Sequence, residues 1–434
     1  MTRFAIACLW GGVIAGLLGS LSYTPMHPLL RIWGLTLQTL RPLHLAAGVG
    51  WVYLGGIAVV AHHWSRASTA DDRRNRAVGF FLATWLLGAV VVGVCLAGHV
   101  YGGRQFFFIS APSSVLFWMG WVVLAWTYVR ARPVSAGPTP VYQWMWMTSL
   151  GLFTYAFVET HVFVLPYFRS HPLRDMAVEW KSYGTLVGSF NLLVYGGLAY
   201  LGDQLKPGGY ARSRSAFALF FVGVLNSFTN YGHHTYHLPQ AEIVKWVSFV
   251  VSMTEIVILA KVVLDVAGWM RRLRSGKAMD GVSLLLCFTA AWTLLSLTLS
   301  IAISIPPLNA LIHGTLVVAG HAMGSMLGID TMALLAVLGW LQIQGRGPGA
   351  RVPRWAIFTL NAGVLVVWFT LLRVGVLDSF QRWNQGTLPS SSLWPGWFGW
   401  AFLGGGVLVA VGVVGLTWSW VLGGLATGSS AHDA

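Results

Sequence analysis

The chain has 434 residues, of which 56% are hydrophobic and only 9% charged, and it carries 23 tryptophans. A soluble fold of that length has too little interior for so much apolar surface, so the composition excludes a water-soluble globular protein and points to lipid. The formal net charge of +14 sorts to one set of loops, which makes it a topology signal and gives no reason to expect nucleic acid as a partner.

Apolar runs long enough to cross roughly 30 Å of hydrocarbon recur from end to end, with short polar or Pro/Gly-containing connections and no room for a soluble domain between them. The expected fold is all-α, one polytopic domain over 1–434 with about twelve spans: 3–24, 40–64, 77–101, 113–131, 143–167, 180–203, 213–236, 243–268, 281–304, 309–342, 355–376 and 396–423. The first run is too long, and lacks the small-residue cleavage site, for a signal peptide, so we expect it to be kept. Of the 27 Lys and Arg, 17 fall on the side of the N-terminus, from Arg3 through Arg73, Arg130, Arg212, Arg272 and Lys277 to Arg354. The positive-inside rule then puts both termini in the cytoplasm of a bacterial inner membrane.

Cys8, Cys95 and Cys287 lie far apart inside spans and read as small core residues. No Cys-x-x-Cys-His motif for covalent haem and no cysteine pair for dinuclear copper occurs, so electrons are expected from another protein or a quinol. No repeat of the transporter kind appears, and the only low-complexity segment is the tail Thr427–Ala434.

Taken in chain order, the histidines fall at one depth. His44 opens the second span, His161 closes the fifth, His233 and His234 close the seventh, and His313 and His321 come early in the tenth. With the N-terminus inside, all six sit in the outer half of the membrane. Metal-ligating residues inside spans are costly, and a set at a common depth marks a functional site. In the tenth span, His321 and Met323 point about 200° apart at about 100° per residue, so they can face two planar cofactors on opposite sides of one helix. The adjacent His233 and His234, in Asn230-Tyr231-Gly232-His233-His234-Thr235-Tyr236-His237, sit at a helix end, where the backbone is free to turn both rings toward one metal.

Together these residues resemble the haem-copper oxidase superfamily, and within it the catalytic large subunit of nitric oxide reductase. Arg41-Pro42-Leu43-His44 looks like the family's second-helix motif, His313-Gly314-Thr315 with His321 its tenth-helix motif, and Gly232-His233-His234 its seventh-helix motif. Ser252-Met253-Thr254-Glu255 is similar to the segment that carries a buried glutamate beside a non-haem iron, and Gly103-Arg104-Gln105 to one whose arginine lies near the haem propionates. The resemblance implies a low-spin haem b on His44 and Met323, a high-spin haem b3 on His321, with His313 and Arg104 as further cofactor-binding residues. It also implies a non-haem iron, or copper, on His233 and His234 with Glu255, and an electron-donor subunit such as a membrane-anchored cytochrome c.

Three positions depart from the family pattern. Met323 stands where a second haem histidine is usual; with His44 it still makes a sound axial pair, and a thioether raises the haem potential. The window Glu179–Gly184 holds no histidine, so the second metal needs another ligand: Glu255, His237, Glu179 or the Glu159/His161 pair, or else that metal is absent. Gln105 replaces a glutamate that helps bind calcium in the family. Two imidazoles and a carboxylate favour iron(II) over copper. The expected activity is reduction of nitric oxide to nitrous oxide, with Glu255 relaying protons; the alternatives are an oxygen-reducing oxidase and a non-catalytic b-type cytochrome or gas-binding protein.

Overall fold

The computed structural model describes residues 1–67, 72–104, 111–134, 137–206, 209–274, 279–346, 351–385 and 396–422. Gln105, Lys277 and Thr427–Ala434 lie outside the described residues. Among the described residues every regular element is helical, as lipid requires, because no water is available there for unpaired backbone groups. The helices are α1 (Thr2–Ser20), α2 (His27–Ile32), α3 (Leu37–Ala67), α4 (Asp72–Ala97), α5 (Ala111–Ala131), α6 (Val141–His161), α7 (Pro166–Arg169), α8 (Pro172–Leu205) and α9 (Arg214–Thr229). They continue with α10 (Glu242–Met253), α11 (Glu255–Arg274), α12 (Gly281–Ile303), α13 (Pro306–Ile312), α14 (Leu316–Met323), α15 (Met332–Arg346), α16 (Arg354–Gln385) and α17 (Trp397–Leu422).

Ten helical stretches among the described residues are long and apolar enough to cross a membrane. The other two expected spans correspond to α6 and α9. With 16 residues, α9 is shorter than the roughly 20 of a full crossing, and it continues as a 3₁₀ turn through Asn230–Thr235. Large apolar side chains such as Val90, Val94, Trp126 and Leu264 stay exposed, as expected of a lipid-facing surface.

Two compact units make up the chain: Met1–Gly55, Leu259–Ile303 and Pro307–Ala434 form one, and Gly56–Ile258 with Ser304–Pro306 the other. In the first, α16 runs antiparallel to the tenth span: Gly375 packs on Val317, Gly320 on Leu372 and Gly324 on Trp368, each too close for a β-carbon without rearrangement. α12 lies along the same span, with Ser296 against Gly324 and the Trp292 ring against Gly328. Buried tryptophans tie the helices together through their indole N–H groups: Trp51 donates to Thr331 Oγ1 (3.2 Å), Trp292 to Asn361 Oδ1 (2.9 Å) and Trp10 to Thr417 Oγ1 (2.9 Å). In the second unit α6 and α8 exchange two hydrogen bonds, Ser149 Oγ to Ser189 O (2.7 Å) and Ser189 Oγ to Ser149 O (2.8 Å). Small hydroxyl residues of this kind bring membrane helices close.

Two expected spans are broken. The tenth divides into α13, a turn at His313–Thr315, and α14 followed by a π-helical stretch Gly324–Thr331 and α15. Gly314, at φ +76°, takes the left-handed conformation that ends α13, and Thr315 Oγ1 accepts the Val317 N–H to start α14. His313 is therefore a turn residue. The eighth span breaks at Thr254, between α10 and α11, where the Thr254 hydroxyl donates to Val251 O (2.6 Å) and accepts from Asn226 Nδ2 (3.3 Å).

Candidate metal centre

In the first unit, the half-buried His44 sits about two turns into α3, just past Pro42. Its Nδ1 donates to the Gly12 carbonyl of α1 at 2.7 Å. That bond fixes the ring and the tautomer, and leaves the Nε2 lone pair for a metal, the second-sphere arrangement usual for ligating histidines. Gly16 makes room for the ring, since a β-carbon there would lie 2.7 Å from His44 Nδ1.

His321 and Met323 face different neighbours, as their spacing predicts. His321 lies beside the Ser296 main chain of α12, with Nδ1 buried and no hydrogen-bond partner of ordinary geometry. Met323 packs with Tyr23 and Phe402 against the cluster Val367, Leu371, Val374 and Phe398 of α16 and α17. Its thioether is in the apolar, aromatic surroundings that suit sulfur. His63 shows the contrast of a histidine built only for packing: its Nε2 meets Gln143 Nε2 at 3.2 Å, and Tyr142, Trp146 and Tyr200 box its ring. His44, with one nitrogen tied and the other open, and Met323, with a soft sulfur, are donor types that haem takes. His321 adds a second imidazole, half-buried beside the Ser296 main chain. His313 makes its main-chain bond to Asn309 O (2.8 Å), and Arg382, paired with Asp378 (2.9 Å), reaches the Gly314 carbonyl beside it.

In the second unit, His233 and His234 close the 3₁₀ turn after α9 with ring centroids 4.2 Å apart. Buried at 4% exposure, His233 has Nδ1 3.4 Å from both Ser252 Oγ and Ser304 Oγ. His234 lies flat on the Trp180 indole, 4.9 Å between centroids and 7° between planes. Gly232 allows this packing, because a β-carbon would meet Ser248 Cβ at 2.6 Å. Glu255 opens α11 at 7% exposure, three residues after Ser252 across the Thr254 break.

The other proposed third ligands are committed elsewhere or open to solvent. Glu179 accepts from Arg104 Nη1 (2.8 Å) and from the Tyr183 hydroxyl. Arg104 also pairs with Asp175 and stacks on Phe163 at 4.4 Å. Burial alone would lower the Arg104 pKa; the hydrogen bond to Asp175 and the charge of Glu179 outweigh it and hold the guanidinium above its usual value. Glu159 holds Lys181 at 2.5 Å. Both ring nitrogens of His161 are engaged, Nδ1 with Phe157 O (2.6 Å) and Nε2 with Ser114 Oγ (2.7 Å). His237 is exposed in the turn beyond the 3₁₀ segment. Among the described residues no three His, Cys, Asp or Glu side chains stand close enough together to hold a metal ion. The donors present at the pair are thus two imidazoles, with Glu255 the buried carboxylate nearest in sequence to the Ser252 that His233 meets.

Sequence reasoning missed the acidic pair Asp175/Glu179 around Arg104, one helical turn apart at the start of α8, and the buried Asp330. A lone aspartate in an apolar span was signal enough for the second.

Comparison with known proteins bears on the family and the fold. The profile of the family described as "Cytochrome C and Quinol oxidase polypeptide I" matches residues 1–408. Among solved structures, the chain is similar to a heme-copper terminal oxidase dimer determined by cryo-electron microscopy, with a TM-score of 0.69 and 15% identity over 97% of this chain and 83% of that one. No curated protein matches. An all-helical membrane fold, a profile match over nearly the whole length and histidines with open ring nitrogens lead to one conclusion: the chain belongs to the haem-copper oxidase subunit I family.

Proposed function

We propose that this oxidoreductase reduces two molecules of nitric oxide to nitrous oxide and water, taking up two electrons and two protons. The observation that carries the reading is the donor set at His233 and His234. The stretch of α8 from Glu179 to Gly184 offers no histidine and its glutamate is spent on Arg104 and Tyr183, while Glu255 stands buried one turn beyond Ser252. Glu255 does not stand at the pair among the described residues; were it to close on the two imidazoles when a metal binds, that donor set would prefer iron(II) to copper and leave positions open for substrate.

When bound, two haem b groups and a non-haem iron supply the electron transfer and the sites at which nitric oxide binds. His44 and Met323 hold the low-spin haem, and the Gly12 carbonyl keeps the His44 ring in the tautomer that ligation needs. His321 holds the high-spin haem. His233 and His234 hold the second metal, with the Trp180 ring preventing His234 from turning away. With one oxygen of Glu255 given to the metal, its other oxygen would take up and pass on protons, and its burial would keep bulk solvent from competing. Arg104, doubly paired, fixes the start of α8. A cytochrome c-type or other small membrane subunit is the electron donor, delivering on the side of the membrane that His44 faces.

Oxygen reduction by the same residues is the second reading, favoured by the similarity to a terminal oxidase. One experiment separates the two. Purified protein, with iron, copper and haem counted per chain, is supplied with a chemical reductant and either isotopically labelled nitric oxide or oxygen. Labelled nitrous oxide, with one non-haem iron and no copper, supports the proposal. Oxygen consumption with stoichiometric copper and no nitrous oxide overturns it.

A further inference from the structure

Asp330 is the only acidic residue between Asn309 and Gln342. It is 1% exposed, and both carboxylate oxygens are buried without a hydrogen-bond partner. It lies near the end of the π-helical stretch Gly324–Thr331, the kind of helix irregularity that recurs at functional sites. Its depth follows from the packing around it. Gly324 meets Ser296 and Trp368, Gly328 meets Trp292, Met332 meets Asn361, and Thr331 meets Trp51. Asp330 therefore stands near the middle of its span, nine residues from His321 and toward the end that carries Arg351 and Arg354.

Among the described residues, the helices packed on that stretch bring no counter-charge to its level. α12 contains no charged residue and only Cys287 as a titratable one. The charged groups of α16 sit near its ends, Arg354 at one and Arg373, Asp378 and Arg382 toward the other. α14 contributes His321, α15 offers no titratable side chain as far as Gly345, and the first-unit part of α3 has Arg41, His44 and the buried, neutral phenol of Tyr53. The nearby polar groups are spent on one another: Thr289 on Leu285 O, Thr293 on Thr289 O, Trp51 on Thr331, and Asn361 on Trp292 and Ile357 O. A carboxyl so placed carries a proton, because an unpaired charge there is far more costly.

Toward His321 the same unit holds two further buried polar side-chain atoms without partners, Ser296 Oγ and Trp368 Nε1. Both flank Gly324, since a β-carbon on that residue would lie 2.6 Å from Ser296 Oγ and 3.0 Å from Trp368 Nε1. Folded proteins rarely leave such groups unsatisfied, and ordered water is their usual partner.

We propose that Asp330 is a proton-holding carboxyl that supplies the His321 region through water bound at Ser296 and Trp368. In the step, the Asp330 O–H bond breaks, its proton passes to the oxygen of that water, and the carboxylate regains a proton from the Arg351/Arg354 side; no electron moves. The purpose assigned to the proton rests on His321 holding a reactive iron, whichever gas is reduced there.

The test is infrared difference spectroscopy between oxidised and reduced full-length protein, with and without ¹³C-labelled aspartate. We expect a protonated-carboxyl carbonyl band that shifts with the label and in D₂O, disappears in Asp330→Asn and moves in Asp330→Glu. Turnover in Asp330→Asn should fall on the order of 100-fold with an unchanged haem spectrum and lose its pH dependence, with recovery in Asp330→Glu. A wild-type spectrum without a label-sensitive band overturns the proposal even if the Asn variant does not fold. So does an Asn variant that keeps both band and turnover. Were wild type to reduce neither nitric oxide nor oxygen, the functional reading would fail while the infrared result still decided Asp330.

Discussion

The two histidine regions are built on different logic. In the unit carrying His44, Met323 and His321, each donor comes from its own surroundings: His44 is oriented by a carbonyl of α1, Met323 is cushioned by aromatic rings, and His321 is left with a buried nitrogen unspent. Around His233 and His234 the rings are pressed together and against Trp180, and the carboxylates of α8 and the end of α6 are absorbed into ion pairs with Arg104 and Lys181. A haem needs only one or two well-aimed donors, because the porphyrin supplies the other four. A lone metal ion needs every ligand from the protein. The first region offers donors enough for the smaller demand, whereas at the second, among the described residues, no third donor stands close to the pair.

That difference is open to attack in order of expected effect. Replacing His321 by Ala should remove the high-spin pigment and abolish turnover while the low-spin spectrum survives; an unchanged pigment spectrum would dismantle the haem assignment. Glu255→Gln should lower turnover by about 10²- to 10⁴-fold and release the non-haem iron, counted by metal analysis, with both haems in place. Retention of iron and activity would move the third ligand elsewhere. Gly16→Ala, which puts a carbon where the His44 ring lies, should weaken low-spin haem retention by about 10- to 100-fold, read from haem content after dilution or competition with a haem scavenger. The smallest effect is expected of Met323→His: the low-spin haem should stay, with its midpoint potential lowered because an imidazole replaces a thioether. A potentiometric titration giving an unshifted midpoint would take Met323 out of the coordination sphere.

The sequence makes the fold class legible because lipid permits so little else: apolar length and the sorting of basic residues carry most of it. The positions of His44 and His321 along their spans are equally readable, since depth and helical phase follow from counting residues. What counting misses is departure from the regular helix. His313 looks like a helical neighbour of His321 until Gly314 turns the chain left-handed, and the span holding Glu255 looks continuous until Thr254 interrupts it. Partnerships across long separations are hidden for a different reason. Nothing in the residues around Arg104 announces that Asp175 and Glu179, more than seventy positions later, will take up its charge, so an arginine expected to greet propionates arrives already engaged by two carboxylates.

The π-helical stretch bears on how this segment can change over time. Such a stretch takes more residues per turn than its neighbours, so the loss of one residue within Gly324–Thr331 is absorbed by relaxation to an ordinary helix, and the turns on either side keep close to their present phase. Met332 then keeps its partner Asn361. The same single-codon deletion in the regular turns on either side would instead rotate all that follows by about 100°.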